Sequence, residues 1–386
     1  MKYFNEVVGL RIYLAIWVAV GHGLQLSGIL KPSNFLVKFL LSGGDAVAVF
    51  MIVSGFVITN LLIVKHEPYP QYIVRRFFRL YPAYIICCIA GYLLADDWTN
   101  VVRSVPWQDM PGWDRYSREV FELQTEVTKN FWPHFVLHSV MLHGAVPNEI
   151  LNRAQMTFLP AAWSISLEWQ FYLVAPLVLA SMRHSRQMIA IVAAAIAAYL
   201  LYRFGFLGTY TERSALAGAT QYFAIGIASR LGYESFARFR VSPLLAASFC
   251  AFGCITLLSD PLPILIWLAF YSYLVWGDAA PLTGGVFRLL TTAKPILILG
   301  EASYSLYLVH RPIQVGLASL SLGLLTPTHA TMLAIQMFAI VIAIPVSLLL
   351  YSFVEKPGID FGRIAARWLT ANRRLARPQA LVDRVQ

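Results

Sequence analysis

Charge is scarce in this chain. Lys, Arg, Asp and Glu make up 13% of its 386 residues, against the roughly 25% usual in soluble domains, while 58% of the residues are apolar. A pair of ordinary soluble domains is thereby excluded, and the composition is that of a polytopic membrane protein. Cysteine is equally scarce: Cys87, Cys88, Cys250 and Cys254 all fall inside apolar runs, which argues against a disulfide or zinc framework and makes them small core residues. Neither a G-x-x-x-x-G-K-S/T loop nor a G-x-S-x-G elbow occurs, so nothing supports a phosphate-cradling nucleotide fold or a serine-hydrolase fold. His134 and His138 stand four residues apart, but no acidic residue completes H-E-x-x-H and no metal site is expected. The net charge of +10 is scattered between apolar runs, the pattern of topological charge at membrane loops and not of a nucleic-acid face.

What the chain does have is apolar runs near the roughly 17–25 residues that cross a bilayer. They fall at 12–30, 43–64, 81–96, 163–182, 187–205, 216–232, 242–258, 262–277, 295–320 and 330–354. The expected fold is all-α, a polytopic integral membrane bundle of about ten transmembrane helices over residues 1–358, followed by a basic amphipathic tail, 359–386, lying on the inner leaflet. The segment 131–146 reads as an interfacial or re-entrant helix, and a true crossing there would invert everything after it. With the N-terminus inside, two thirds of the Lys and Arg collect on the cytoplasmic side, so both termini are expected in the cytoplasm. The long segment 97–162 carries Trp98, Trp107, Trp113 and Trp132 among carboxylates and should be ordered and external. Its aromatic faces suit either a pyranose ring or an interfacial belt. No A-x-A site follows the first run cleanly, so it is not read as a cleaved signal.

Five polar clusters sit at membrane depth, where such groups are costly and normally face a bundle interior or a watery cavity. In RIYLAIWVAVGH (11–22), eleven positions separate Arg11 from His22, close to three whole turns, so both project from one helix face about 16 Å apart. Arg11 would sit at the inner interface and His22 near mid-bilayer. Taken singly, Arg11 could be a snorkelling anchor and His22 a hydrogen-bonded interhelical residue. VFMIVSGFVIT (49–59) offers Ser54 and Gly55. YIVRRFFRLYP (72–82) places Arg75, Arg76 and Arg79 within about one turn, a clamp for phosphate oxygens or a positive-inside cluster facing anionic lipid. AAWSISLEWQFYLVAP (161–176) buries Glu168 near Trp163, Trp169 and Tyr172. GEASYSLYLVHRPI (300–313) sets Ser303, Tyr304, Tyr307 and His310 roughly along one face.

In this order the clusters resemble the acyltransferase-3 family of bacterial integral membrane acyltransferases, which O-acylate cell-surface, exported or lipid-linked carbohydrates. The matching motifs are R-x10-H at Arg11 and His22, SGF at Ser54–Phe56, R-x-x-R with LYP from Arg76 and Arg79, WS-x-x-x-E-x-x-FYL at Trp163–Leu173, SYSLYL-x-H-x-P at Ser303–Pro312, and the closing YSFVEKP, 351–357. They span almost the whole chain. The resemblance implies a multi-pass enzyme of the bacterial inner membrane that moves an acetyl group from acetyl-CoA to a hydroxyl of a carbohydrate or lipid-linked glycan. On that reading Arg75, Arg76 and Arg79 hold the donor phosphates, His22 is the general base, and Arg11 touches the donor or fixes the helix register. Glu168 orients His22 or binds the acceptor, while Ser54, Trp163, Ser303, Tyr304 and His310 contact substrate. The short tail leaves no room for the SGNH esterase-like domain that some members carry. Two alternatives stay open: a transporter or polysaccharide flippase, and the same fold transferring succinyl or another acyl group.

Overall fold

A computed structural model describes residues 4–375 except 66, 183–184, 238–251, 256–257, 259 and 280–283. The described residues form helices and their connections, with no strand among them. The helix α1, Asn5–Leu26, begins well before the expected run because the buried Val7, Gly9 and Leu10 carry its packing toward the N-terminus. It stops where Ser27 and Gly28, the latter at φ 81°, turn the chain. Buried residues ring α1 on every side, and it touches more of the bundle than any one face could reach, the arrangement of a central helix.

Around it stand α2 (Phe35–Leu41), α3 (Gly43–Val64), α4 (Tyr69–Leu93), α8 (Trp163–Ser181), α9 (Ser185–Arg203), α10 (Leu216–Ala237) and α11 (Pro261–Trp276). The C-terminal part adds α12 (Gly284–Thr292), α13 (Lys294–Glu301), α14 (Ser303–Leu322), α15 (His329–Leu350), a π-helical turn Tyr351–Glu355 and α16 (Lys356–Leu375). Among the described residues four helices are long and apolar enough to cross a membrane, Asn5–Leu26, Gly43–Val64, Arg186–Arg203 and His329–Leu369; a fifth counts if α4 and the next helix, bent by 49°, are one span. Other expected runs are helical too: α8 carries Glu168 and α14 carries His310 and Arg311, while α11 is apolar but only 16 residues long. The run expected at 242–258 lies almost wholly outside the described residues.

Helices approach closely where side chains vanish. A Cβ built on Gly226 of α10 would lie 2.1 Å from the Ile52 carbonyl oxygen of α3, and one on Gly55 would lie 2.5 Å from that of Phe223. Backbone cannot give way as a flexible side chain can. Gly226→Leu is therefore expected to abolish folded, membrane-integrated protein, read by detergent gel filtration of the tagged chain; a wild-type elution profile would contradict the crossing.

The 97–162 segment is ordered. It builds α5 (Ala95–Ser104), α6 (Trp113–Lys129) and α7 (Phe131–Ser139) as a cap over the far ends of α1, α14 and α15, with its own core around Leu26, Val101, Trp107, Trp113 and Met332. Trp107 and Trp113 are consumed by that core and Trp98 by Arg311, so three of the four tryptophans form neither a sugar platform nor a belt. At nine residues α7 is about 13 Å long, too short to cross. Within the cap, burial would raise the Glu126 carboxyl, but hydrogen bonds from Asn130, Asn152 and His134 outweigh it and hold the group below its ordinary value. The tail begins as α16 without a linker, packs along α4 through Gly358 and Gly362, and turns Phe361, Ile364 and Trp368 outward. Its residues after 375 lie outside the described part.

Candidate active site

Five sequence clusters contribute to one cavity of about 210 Å³ between α1, α3, α4, α8 and α14, lined by Arg11, Ser54, Arg76, Arg79, Glu168, Tyr172, Ser303, Tyr304 and Tyr307 among apolar residues. Glu168 is held there from two sides: Ser54 donates from Oγ at 3.0 Å, and the Tyr172 hydroxyl donates to the same oxygen. Tyr307 fixes the opposite wall, its hydroxyl 2.8 Å from both Ser164 Oγ and the Ala161 carbonyl oxygen. The Tyr304 hydroxyl donates to the Leu80 carbonyl at 2.8 Å.

The arginines are not equivalent. Arg75 turns away from the cavity to pair with Glu67 at 3.1 Å, which leaves Arg76 and Arg79 of the three on the cavity wall. Arg79 donates to the fully buried Glu355, whose other oxygen accepts from Ser305 at 2.6 Å. Arg76 has no salt bridge among the described residues; its guanidinium lies 5.7 Å from the Tyr172 ring centre and 6.0 Å from that of Tyr72, with Nε buried and unpartnered. Glu355 was not singled out from the sequence. Its signal was a lone carboxylate closing an apolar run, and the π-helical turn swings it inward onto Arg79.

His22 does not line this cavity. Because α1 starts at Asn5, His22 lies about 26 Å along the helix and about 6 Å from its C-terminal end. It meets His310 there, the rings stacked with centres 5.4 Å apart, and Gln25 Oε1 lies 3.3 Å from Nδ1. Glu168 does not orient His22, since its contacts are Ser54 and Tyr172. The link between cavity and histidine pair is Tyr307, which lines the first and stands 5.8 Å from His310, one helical turn on. Arg311 is also buried, bonded to the Tyr116 hydroxyl at 2.7 Å and set 4.4 Å over Trp98, with Nε and one terminal nitrogen unpartnered. Trp163 lines a separate cavity toward the ends of α3 and α8.

His134, His138 and His143 serve the fold. His134 faces Glu126 at 3.4 Å, His138 donates to the His134 carbonyl at 2.8 Å, and His143 lies 3.2 Å from the Ala162 carbonyl with its ring stacked on His138 at 3.9 Å.

The sequence profile of the acyltransferase-3 family, described as an acyltransferase domain, matches residues 4–352. The chain belongs to that family. An O-acetyl transferase of Shigella phage Sf6 is 23% identical over 189 residues, which cover 47% of this chain and 47% of that protein. The chain thus spans about half the length of the curated relative it matches. No solved structure matches. The cavity and the histidine pair thus lie in a chain of the acyltransferase-3 family, and both fall within the matched residues.

Proposed function

We propose that this acyltransferase moves an acetyl group from acetyl-CoA to a hydroxyl of a cell-surface, exported or lipid-linked carbohydrate, with the N-terminal end of α1 and both chain termini on the cytoplasmic side of a bacterial inner membrane. The observation that carries the reading is the cavity itself: three guanidiniums, Arg11, Arg76 and Arg79, converge in it, and among the described residues two carboxylates, Glu355 and Glu168, offset them. An uncompensated guanidinium in a semi-enclosed cavity calls for an anion, and a coenzyme A phosphate is one. Arg76, with its orphaned Nε, is the first contact; Arg79 supports it from a fixed position on Glu355. Arg75 belongs to the surface pair with Glu67 and not to the clamp.

The thioester end would pass the Ser303, Tyr304 and Tyr307 face toward His310 and His22. There the imidazole of His22 takes the proton of the acceptor hydroxyl as its oxygen attacks the thioester carbonyl. The carbon–sulfur bond breaks, and the proton returns to the departing thiolate, so nothing further is consumed. General-base help of this kind is worth typically 10²–10⁴-fold. His310 packs on the His22 ring and fixes its plane, and Ser303, whose Oγ is buried without a partner among the described residues, lines the way the thioester takes from the arginines.

Transfer is tested in membrane vesicles carrying the protein, supplied with acetyl-CoA labelled in the acetyl group, with the glycan fraction analysed by mass spectrometry. Label should enter glycan only when the protein is present, as acetyl esters. A glycan that changes with the protein but carries succinyl would correct the acyl group, and a glycan left unlabelled would contradict the assignment.

A further inference from the structure

A second cavity, of about 160 Å³, opens beside the first at the N-terminal ends of α3, α8 and α11 and shares Val47 and Met51 of α3 with it. On the topology proposed above this is the outer side of the membrane. Its polar wall is Asp45, Glu212 and Asp260, with Arg213, and its aromatic wall is Trp163 and Tyr222. Among the described residues Asp260 is the carboxylate of the three in a salt bridge: Arg213 pairs with it at 3.0 Å and donates to the Tyr222 hydroxyl, which itself donates to Asp260 at 3.0 Å. Asp45 faces Asp260 and Ser42. The Glu212 carboxylate has no hydrogen bond or salt bridge among the described residues, and burial, with Glu119 nearby, pushes it up to about 7.

Beyond Glu212 the surface continues into an open groove of about 430 Å³ that includes Arg115, Glu119, Glu122, Arg153, Tyr210 and Thr211. Thr211 precedes Glu212 in the chain, so groove and cavity adjoin. From outside inward the molecule therefore offers a long polar groove, a small acidic and aromatic cavity, and the arginine-lined cavity.

We infer that the Asp45, Glu212, Asp260, Trp163 and Tyr222 cavity is the acceptor subsite and takes an uncharged sugar ring, with the rest of the glycan lying along the adjoining groove. The inference rests on the acyltransfer reading above and adds the substrate class. A sugar ring presents hydroxyl donors at its edge and apolar C–H groups on its face. Carboxylates with spare lone pairs accept from the first, and an indole and a phenol cover the second. Arg213 is already engaged by Asp260 and Tyr222, so among the described residues the cavity holds no free cation for an anionic sugar, and the charge of a uronic or sialic acid would be left unpaired at this position. The mixed charges of the groove impose no such restriction on neighbouring units.

The test uses vesicles with their own glycan and labelled acetyl-CoA, challenged with methyl glucoside, methyl galactoside, methyl rhamnoside or methyl glucuronide as competitors. At least one neutral glycoside should suppress incorporation into glycan and the glucuronide should not. Glu212→Gln should weaken the neutral competitor about tenfold and leave the KM for acetyl-CoA unchanged; Trp163→Phe should retain competition that Trp163→Ala loses. Equal competition by the glucuronide, no competition by any glycoside, or competition unchanged in Glu212→Gln would overturn the subsite. Absence of labelled glycan from the wild-type vesicles would instead defeat the acyltransfer reading itself, so the two failures are distinguishable.

Discussion

Replacing His22 by alanine is expected to lower acetyl transfer by about 10²–10⁴-fold, the usual contribution of a positioned general base, while donor affinity stays near its wild-type value. The separation follows from the geometry. His22 lies outside the arginine-lined cavity and is reached through Tyr307 and His310, so removing its ring leaves Arg11, Arg76 and Arg79 untouched. A sugar hydroxyl is almost fully protonated at neutral pH, and attack on a thioester without a proton acceptor is slow. The imidazole is half-buried on a helix whose other residues are almost all packed, so the substitution removes one ring from the distal end of α1 and little else. Initial rates at saturating acetyl-CoA, with expression matched by blotting, check this.

Arg76→Gln is expected to raise the KM for acetyl-CoA about ten- to a hundredfold with a smaller change in kcat, the loss of a charge-assisted contact to phosphate. Arg79→Gln should act differently, because it breaks the pair with a carboxylate that has no exposure at all. Stranding Glu355 uncompensated costs roughly 3–5 kcal/mol, so this variant is expected to lose folded protein before its kinetics can be read. Replacing both partners, Arg79→Met with Glu355→Gln, should recover folding without recovering donor affinity. Titrating acetyl-CoA against both single variants and the double one separates the two roles. A normal KM in Arg76→Gln would return the arginines to topology and lipid, their other reading from sequence.

Much of the cavity was legible before any coordinates because polar groups inside apolar runs are expensive and therefore mark an interior. Arg11, Ser54, Arg76, Arg79, Glu168, Ser303 and Tyr304 all announce themselves in that way, and all of them line one space. What periodicity within a run cannot encode is the partner from another run. Arg75, Arg76 and Arg79 are indistinguishable by spacing; Glu67 draws the first outward and Glu355, far along the chain, fixes the third. Trp163 and Glu168 begin the same helix, yet five residues carry them to different cavities. The start of α1 was not legible either, because the apolar run begins later than the helix. Asn5 and Glu6 are polar but helical, and they push the true end of α1 back by a turn or more. Trp107 and Trp113 suggested a surface platform, but a cap of short helices needs a core of its own and took them.

The central claim is that donor binding and proton transfer occupy two stations joined by Tyr307. Its most direct test is to measure coenzyme A binding and acetyl transfer on one purified preparation of His22→Ala. The account predicts wild-type coenzyme A affinity with transfer reduced at least a hundredfold. Transfer near the wild-type rate, or coenzyme A binding lost together with transfer in a protein that still elutes as folded, would contradict it.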